Sequence, residues 1–433
     1  MTSWFIRGSP FSAFSVWTGD LHPAEVRCLR ARTVSVAGVS RFRLLPTPVQ
    51  EVGLVEHCSH ARFVWNLACE QYAHWRPGRA AAPGYGEQAR QLTDARAAFK
   101  WLRTGSVTVQ QQALRDFAQA MANFHGGTHR RPTWRKAGRH EGFRQVGMKP
   151  SHVHQLSRRR ARLWVPKVGW VRFVLSRRVG EAARSYRVTV DRCGRWHVAF
   201  AVAPEPIPAP GNGRAVGVDR GVTVSAALST GELLKVPGLT AGECRRLKRL
   251  RRALERAVPG SNRRSQVRRS FARMKARESD RRKNWVELVS TDLARGFDLV
   301  RVEKLDIRAM TRSANGTNDR PGRNVRQKAG LNRGILANGW GRLVVRLEQK
   351  AAGRVEKVSA AYTSLQCATC GHVAPENRKS QAAFRCVACG FACHADVNAA
   401  RNIATGRAVT ARGALQPLGG AVNREPRHSA SGP

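Results

Sequence analysis

Two pairs of cysteines carry the most specific chemistry in the chain. Cys367 and Cys370 form one Cys-x-x-Cys-Gly knuckle and Cys386 and Cys389 a second, with fifteen residues between Cys370 and Cys386. Four thiolates at this spacing close the tetrahedron that zinc prefers and leave no position for a reacting water, so they predict a structural zinc. Gly371 and Gly390 follow the second cysteine of each pair, where the chain must turn with positive φ to aim its N–H groups at sulfur. Cys393 and His394 lie close behind as spare ligands, although the two knuckles need neither.

Three carboxylates form a second constellation. Asp219 ends the short apolar run Ala215-Val216-Gly217-Val218 and is followed closely by Gly221; Glu303 ends another, Leu299 to Val302. Asp396 comes seven residues after Cys389 and opens a helical run, Val397 to Ile403. Nucleic-acid hydrolysis needs such groups, because carboxylates can hold two divalent cations that activate water and stabilise the leaving 3′ oxygen. Mg²⁺, a hard ion, suits oxygen ligands. An isolated acid would read as an N-cap or a surface ion pair, and spacing alone does not bring the three together.

Such acids are scarce. The chain has 76 Lys and Arg against 29 Asp and Glu, a net charge of +47 over 433 residues, and a pI near 11.6. A chain this basic repels itself unless a polyanion neutralises it, and nucleic acid is the leading partner. Apolar residues make up 42%, which excludes wholesale disorder. No run of about 18 apolar residues exists to span a membrane, and Met1 to Asp20 lacks the apolar stretch of a secretion signal. Ten cysteines, four of them in knuckles, suit a metal site in a reducing cytoplasm better than a disulfide framework.

The elements that must position these groups follow from periodicity. Val39 to Pro46 alternates as a strand, and Leu54 to Ala68 carries apolar residues at helical spacing. Further helical patterns run over 87–102 and 108–124. Residues 125–146 are basic and interleaved with Trp134 and Phe143, as suits a surface where bases stack and phosphates pair; a solvated basic loop is the alternative. Alternating strands are expected at 162–167, 170–174, 185–190 and 196–201, so residues 39–205 read as a β-barrel-like unit with inserted helices. Ala203 to Gly213 is a Pro/Gly linker. Beyond it come a strand at 215–219, a hairpin over 222–236, and a charge-dense helical hairpin over 241–286 with 17 basic and 4 acidic residues. The strand at 299–303, a basic loop over 311–335, a helix over 340–352 and a strand over 354–360 lead into the cysteines. Residues 1–38 show no periodicity and read as a disordered N-terminal extension; residues 405–433 read as a flexible tail.

Several of these segments resemble one family. Arg41-Phe42-Arg43-Leu44-Leu45-Pro46-Thr47 and Arg62-Phe63-Val64-Trp65-Asn66 look like the opening of TnpB, the transposon-encoded RNA-guided nucleases. Gly217-Val218-Asp219-Arg220-Gly221-Val222 resembles the first RuvC motif of that family and Val302-Glu303-Lys304-Leu305 the second. Thr363-Ser364-x-x-Cys367-x-x-Cys370-Gly371, with Cys386-x-x-Cys389-Gly390, resembles its zinc ribbon, and His394-x-Asp396-x-Asn398-Ala399-Ala400-x-Asn402-Ile403 its third RuvC motif. The resemblance covers residues 40–405. Lys304 stands where an acid or Asn is usual, and Arg220 where an apolar residue is common.

The resemblance implies a multidomain α+β chain. A wedge-like β-barrel with a helical recognition insertion would span 39–205. A RuvC/RNase-H-like αβ nuclease domain would span 214–362 and 391–404, with a zinc ribbon inserted at 363–390. Asp219, Glu303 and Asp396 would bind two Mg²⁺, and the basic hairpin would line a nucleic-acid channel. The partners would be a guide RNA and a DNA target, base pairing reading the sequence while the protein reads a short flanking motif. Proteins of this kind often carry the label transposase. Compact type V CRISPR effectors share the motifs, and a nuclease-inactive guided repressor is a third reading, against which the intact acids argue.

Overall fold

The computed structural model describes residues 39–74, 82–202, 205–359 and 361–406. The extension expected at 1–38 and, apart from Thr405 and Gly406, the tail expected at 405–433 lie outside the described residues.

The first part is built on seven antiparallel strands: β1 (Val39–Leu45), β2 (Gly142–Val146), β3 (Val153–Ser157), β4 (Arg160–Val165), β5 (Gly169–Val174), β6 (Ser185–Val190) and β7 (Trp196–Ala201). Their order is β2-β6-β7-β1-β5-β4-β3. β1 is the corner strand: Val39 to Arg43 pair with β7, whereas Leu44 and Leu45 pair with β5. Phe42 and Leu44 point inward and Arg41 and Arg43 outward, the alternation of a half-buried strand. The rings of Phe42, Phe173 and Phe200 meet at centroid distances of 5.4 to 6.0 Å.

Helices α1 (Pro48–Ala73), α2 (Tyr85–Ala98), α3 (Lys100–Thr104) and α4 (Val107–His125) fall between β1 and β2. Thr47 and Gln50 form a reciprocal capping box at the start of α1, with Pro48 in its first turn. Leu54, Cys58, Ala61, Val64, Trp65 and Ala68 bury its inner face. The helix expected over 87–102 is two helices, because Phe99 takes an extended conformation between them. The basic stretch 125–146 ends in β2, and Phe143 is a core residue 5.0 Å from the His57 ring. The arginines around it hide the alternation in sequence. Trp134 is 55% exposed, so of the two aromatics only Trp134 can present a face to a base.

The second part carries five strands in the order β10-β9-β8-β11-β12: β8 (Ala215–Asp219), β9 (Ala226–Leu228), β10 (Leu233–Leu234), β11 (Leu299–Glu303) and β12 (Val355–Val358). β8, β11 and β12 are parallel, β9 runs antiparallel to β8, and β10 antiparallel to β9. Val216 and Val218 on β8 and Val300 and Val302 on β11 are fully buried, as expected of strands covered on both faces. The helices are α5 (Ala241–Arg256), α6 (Asn262–Gly296), α7 (Ile307–Met310), α8 (Val325–Asn338) and α9 (Trp340–Lys350). α6 is one helix of 35 residues. Its last turns bury Trp285, Val286, Val289 and Leu293 against the sheet, while its arginine-rich first half projects beyond it. The basic loop expected over 311–335 is α8 from Val325 onward. Asn324 and Gly339, both with positive φ, bound that helix. Gly334 within it serves packing, since a Cβ there would lie 2.8 Å from the Val222 side chain.

The cysteines follow β12. A two-stranded ribbon, β13 (Ala383–Arg385) and β14 (Ala392–His394), runs into the last helix, α10 (Ala395–Thr405). Among the described residues, no helix is long and apolar enough to cross a membrane.

Candidate functional site

Asp219 is the last residue of β8 and Glu303 the last of β11. Val218 pairs with Val302 in parallel register, so the next residue on each strand brings the two carboxyls side by side. The carboxyl ends of parallel strands are where open α/β sheets bind ligands. Asp396 reaches the same place from the first turn of α10. His394 caps that helix, its Nδ1 accepting from the Asp396 N–H at 3.2 Å. His394 is thus a cap, and neither it nor Cys393 joins the four-sulfur group.

Glycine makes this approach possible. α10 crosses β8 so closely that a Cβ on Gly217 would collide with the Ala400 carbonyl. At Gly221 a Cβ would sit 2.8 Å from the Val224 carbonyl oxygen and 3.8 Å from Asp396 Oδ2.

The three carboxyls disfavour one another's charge. Burial raises the Asp219 pKa well above the usual carboxylate range, and the charges of Glu303 and Asp396 raise it further. Burial also raises Glu303, opposed by the Arg220 guanidinium and a hydrogen bond with Asp219. Asp396 is raised by burial against the pull of His394 and Arg378. Such a cluster of oxygen donors without enough nearby counter-charge suits a divalent cation.

Two arginines border the acids, and sequence reasoning assigned neither a role. Arg220 is 6% exposed and donates from Nη2 to the Glu303 carbonyl. Arg378, from the ribbon, brings Nη2 to 3.9 Å from Asp396 Oδ1. Neighbouring Gln381 donates to Thr223 Oγ1 at 3.2 Å, so the ribbon spans from the loop after Asp219 to α10.

The four sulfurs of Cys367, Cys370, Cys386 and Cys389 lie within 4.8 Å of one another. Cys367 and Cys389 are 3.7 Å apart and Cys370 and Cys386 3.6 Å. Ligands at the zinc–sulfur distance stand about 3.8 Å apart along a tetrahedral edge, so the group could hold zinc. Gly371 and Gly390 both take positive φ, at 77° and 73°. Burial opposes ionisation of Cys386, but the N–H groups of Cys389 and Ala388 and the neighbouring thiols bring its pKa down to about 6.

Buried asparagines lock this cluster to the acids. Asn398 accepts from the Ala368 N–H at 3.0 Å and donates to the Gln366 carbonyl at 2.6 Å. Asn402 donates to the carbonyls of Thr363 and Gln366 at 2.8 and 2.7 Å. Asn377, fully buried, donates to Leu365 and His372 and accepts from Val387, tying the two knuckles together.

Away from the acids, a groove of about 840 Å³ runs between β1, the turn from β6 to β7 and α6, lined by Arg43, Arg195, Arg273, Arg277 and Arg281 among others. Arg195, Arg277 and Arg281 are ion-paired there with Asp191, Asp280 and Glu243, and a groove this rich in guanidiniums suits a phosphate backbone.

The family described as "Probable transposase" (OrfB of IS605) matches residues 197–314, which include Asp219 and Glu303. The Cas12f1-like TNB domain matches 340–403, taking in the four cysteines and Asp396. A helix-turn-helix family of the same OrfB proteins matches 39–77; the residues described there form β1 and the single long helix α1. InsQ of Escherichia coli (strain K12), provisionally named an RNA-guided DNA endonuclease, is 35% identical over 394 residues, 89% of this chain and 96% of that protein. The chain belongs to the TnpB/IS605 OrfB family. A second relative, from Streptomyces pristinaespiralis and also provisionally named an RNA-guided DNA endonuclease, is 31% identical over 86% of this chain and 90% of its own. Among solved structures, the Cas12f1–sgRNA–target DNA complex aligns with a TM-score of 0.50 at 14% identity, covering 89% of this chain and 86% of that one. At that identity the likeness is one of fold: this TnpB-family chain is a multidomain α+β protein of the same general architecture.

Proposed function

We propose that this protein is an RNA-guided DNA endonuclease of the insertion-sequence type, and that Asp219, Glu303 and Asp396 are its cutting centre. The observation that carries the reading is the meeting of these acids from β8, β11 and α10 at the carboxyl ends of parallel strands. Full-length similarity to proteins named RNA-guided DNA endonucleases, and to a family described as a transposase, supports the insertion-sequence reading over the CRISPR one.

In this reading residues 214–362 and 391–404 form a RuvC-like nuclease domain and 363–390 its zinc ribbon. Residues 39–205 form a wedge-like barrel whose inserted helices read a motif beside the target. Guide RNA and target DNA lie against the arginine-rich groove and hairpin, where phosphates replace the missing acids as counter-ions. The protein works in the cytoplasm, where its thiols stay reduced for zinc.

The donor set fits Mg²⁺: three carboxylates and no soft ligand among them. Bound there, two Mg²⁺ would supply an activated water and charge stabilisation at the leaving 3′ oxygen. The chain's own residues do the rest. Asp219 and Glu303 are fixed by strand register, Asp396 is fixed by the His394 cap and the Asn398 and Asn402 locks, and Arg378 reaches toward the same carboxylate from the ribbon.

The test is cleavage of a plasmid carrying the target and its flanking motif, with guide and Mg²⁺, beside an RNA gel shift. Asp219→Ala, Glu303→Ala and Asp396→Ala should each abolish cutting and leave RNA binding nearly intact. Wild-type cutting by Asp396→Ala would show the centre to be elsewhere. A wild-type protein that binds guide and target and never cuts would make it a guided repressor.

A further inference from the structure

Arg220 is an unusual residue for its place. It follows Asp219 at the end of β8, is 6% exposed, and its Nε is buried without a hydrogen-bond partner. Among the described residues, its side chain hydrogen-bonds from Nη2 to the backbone carbonyl of Glu303 alone. A guanidinium cannot shed its charge at neutral pH, and a buried charge is costly unless an opposite charge lies close by. The opposite charges that favour its own are those of Glu303 first and Asp219 second, acting from beyond direct ion-pair distance. An apolar side chain here would simply extend the core of Val216, Val218, Val300 and Val302.

We propose that Arg220 is a built-in counter-ion beneath the carboxylate pair, a positioning residue that holds Asp219 and Glu303 together before a divalent cation arrives and sets how tightly that cation binds. Its bond to the Glu303 carbonyl ties the end of β11 to the end of β8, and so supports the hydrogen bond that the two carboxyls share. The same positive charge competes with an incoming cation for the same carboxylates. The site is therefore pre-formed and metal-sparing: assembled without the ion, and filled only at higher ion concentration than a bare trio of acids would need. This inference rests on the reading of the acids as the metal centre.

The experiment titrates Mn²⁺ into the guide-loaded, zinc-replete protein, following free Mn²⁺ by electron paramagnetic resonance. Mn²⁺ bound by RNA and surface is removed by subtracting the matched Asp219→Ala complex. Cleavage is measured in parallel against Mg²⁺ concentration. Removing a unit positive charge from beneath the carboxylates should tighten Mn²⁺ binding on the order of ten-fold for Arg220→Met, and lower the Mg²⁺ needed for half-maximal cutting. The maximal rate should fall, because the pair is no longer held. Arg220→Lys keeps the charge, so its Mn²⁺ affinity should stay near wild type. Thermal unfolding should show a larger gain on adding Mn²⁺ for Arg220→Met than for wild type.

Arg220→Met that folds and binds Mn²⁺ no more tightly than wild type, or more weakly, would overturn the proposal. So would Arg220→Lys behaving as Arg220→Met. If Asp219→Ala removes no Mn²⁺ site from the wild-type background, it is the assignment of the metal centre that fails, and that outcome is separate from either result at Arg220.

Discussion

The acid crevice and the cysteine cluster each gather like groups that repel one another when ionised, and they solve that problem differently. The cysteines answer it locally. Their knuckles turn on Gly371 and Gly390, and backbone N–H groups reach sulfur within a few residues. The acids have less local supply: the Arg220 N–H reaches Asp219 and Glu303, and it does not offset their burial. They come from three elements, are partly buried, and the pKa of each stands above its ordinary value. One region offers four thiols that a single cation would complete. The other holds an unfinished charge balance, which is what a reaction centre needs. They are also joined, because Asn398 and Asn402 fasten the cysteine loop to the helix that carries Asp396.

The harshest way to break the comparison is Cys386→Ser. Loss of zinc should destabilise the ribbon by more than about 4 kcal/mol, and cutting should fail because α10 loses its anchorage. Metal analysis, a protease-resistance map and cleavage would be read together; a zinc-free variant that cuts normally would separate the two regions. Gly217→Ala is next. Its Cβ must displace the backbone of α10 at Ala400, at a cost of about 1–3 kcal/mol in stability. The same shift moves Asp396, and a misplacement near 1 Å can slow a reaction about a hundred-fold. Normal stability with normal cutting would mean that α10 does not sit against β8.

The mildest test is the pH dependence of stability without added divalent ion. The Asp219 carboxyl stands above its unfolded value, so the folded chain keeps a proton that the unfolded chain has released. Stability therefore falls as pH rises from the ordinary carboxylate value through the raised folded one. Asp219→Asn removes that titration, so its stability should fall less across the window, as thermal melts at matched salt would show. Parallel slopes for the two proteins would contradict the burial described here.

What could be read in advance follows the same division. The cysteine cluster was legible because its ligands lie within 23 residues, from Cys367 to Cys389, so spacing encodes geometry. The acids were legible as strand ends and a helix start. Their meeting was not, since 176 residues lie between Asp219 and Asp396 and chain spacing carries no distance over that span. Gly217, Asn377, Arg378 and Gln381 went unassigned, because what matters in each is a partner remote in sequence or a missing side chain. β2 and α8 are hard to see in the sequence for one shared reason: each lies in a longer basic stretch and carries few apolar residues, and a few inward positions, such as Phe143 and Ile335, decide the fold.

Anomalous scattering from Mn²⁺ in crystals of the guide-bound protein tests the central claim most directly. The account predicts manganese density bounded by Asp219, Glu303 and Asp396, and a separate zinc peak among Cys367, Cys370, Cys386 and Cys389. Manganese bound elsewhere, with those three carboxylates free of metal, would contradict it.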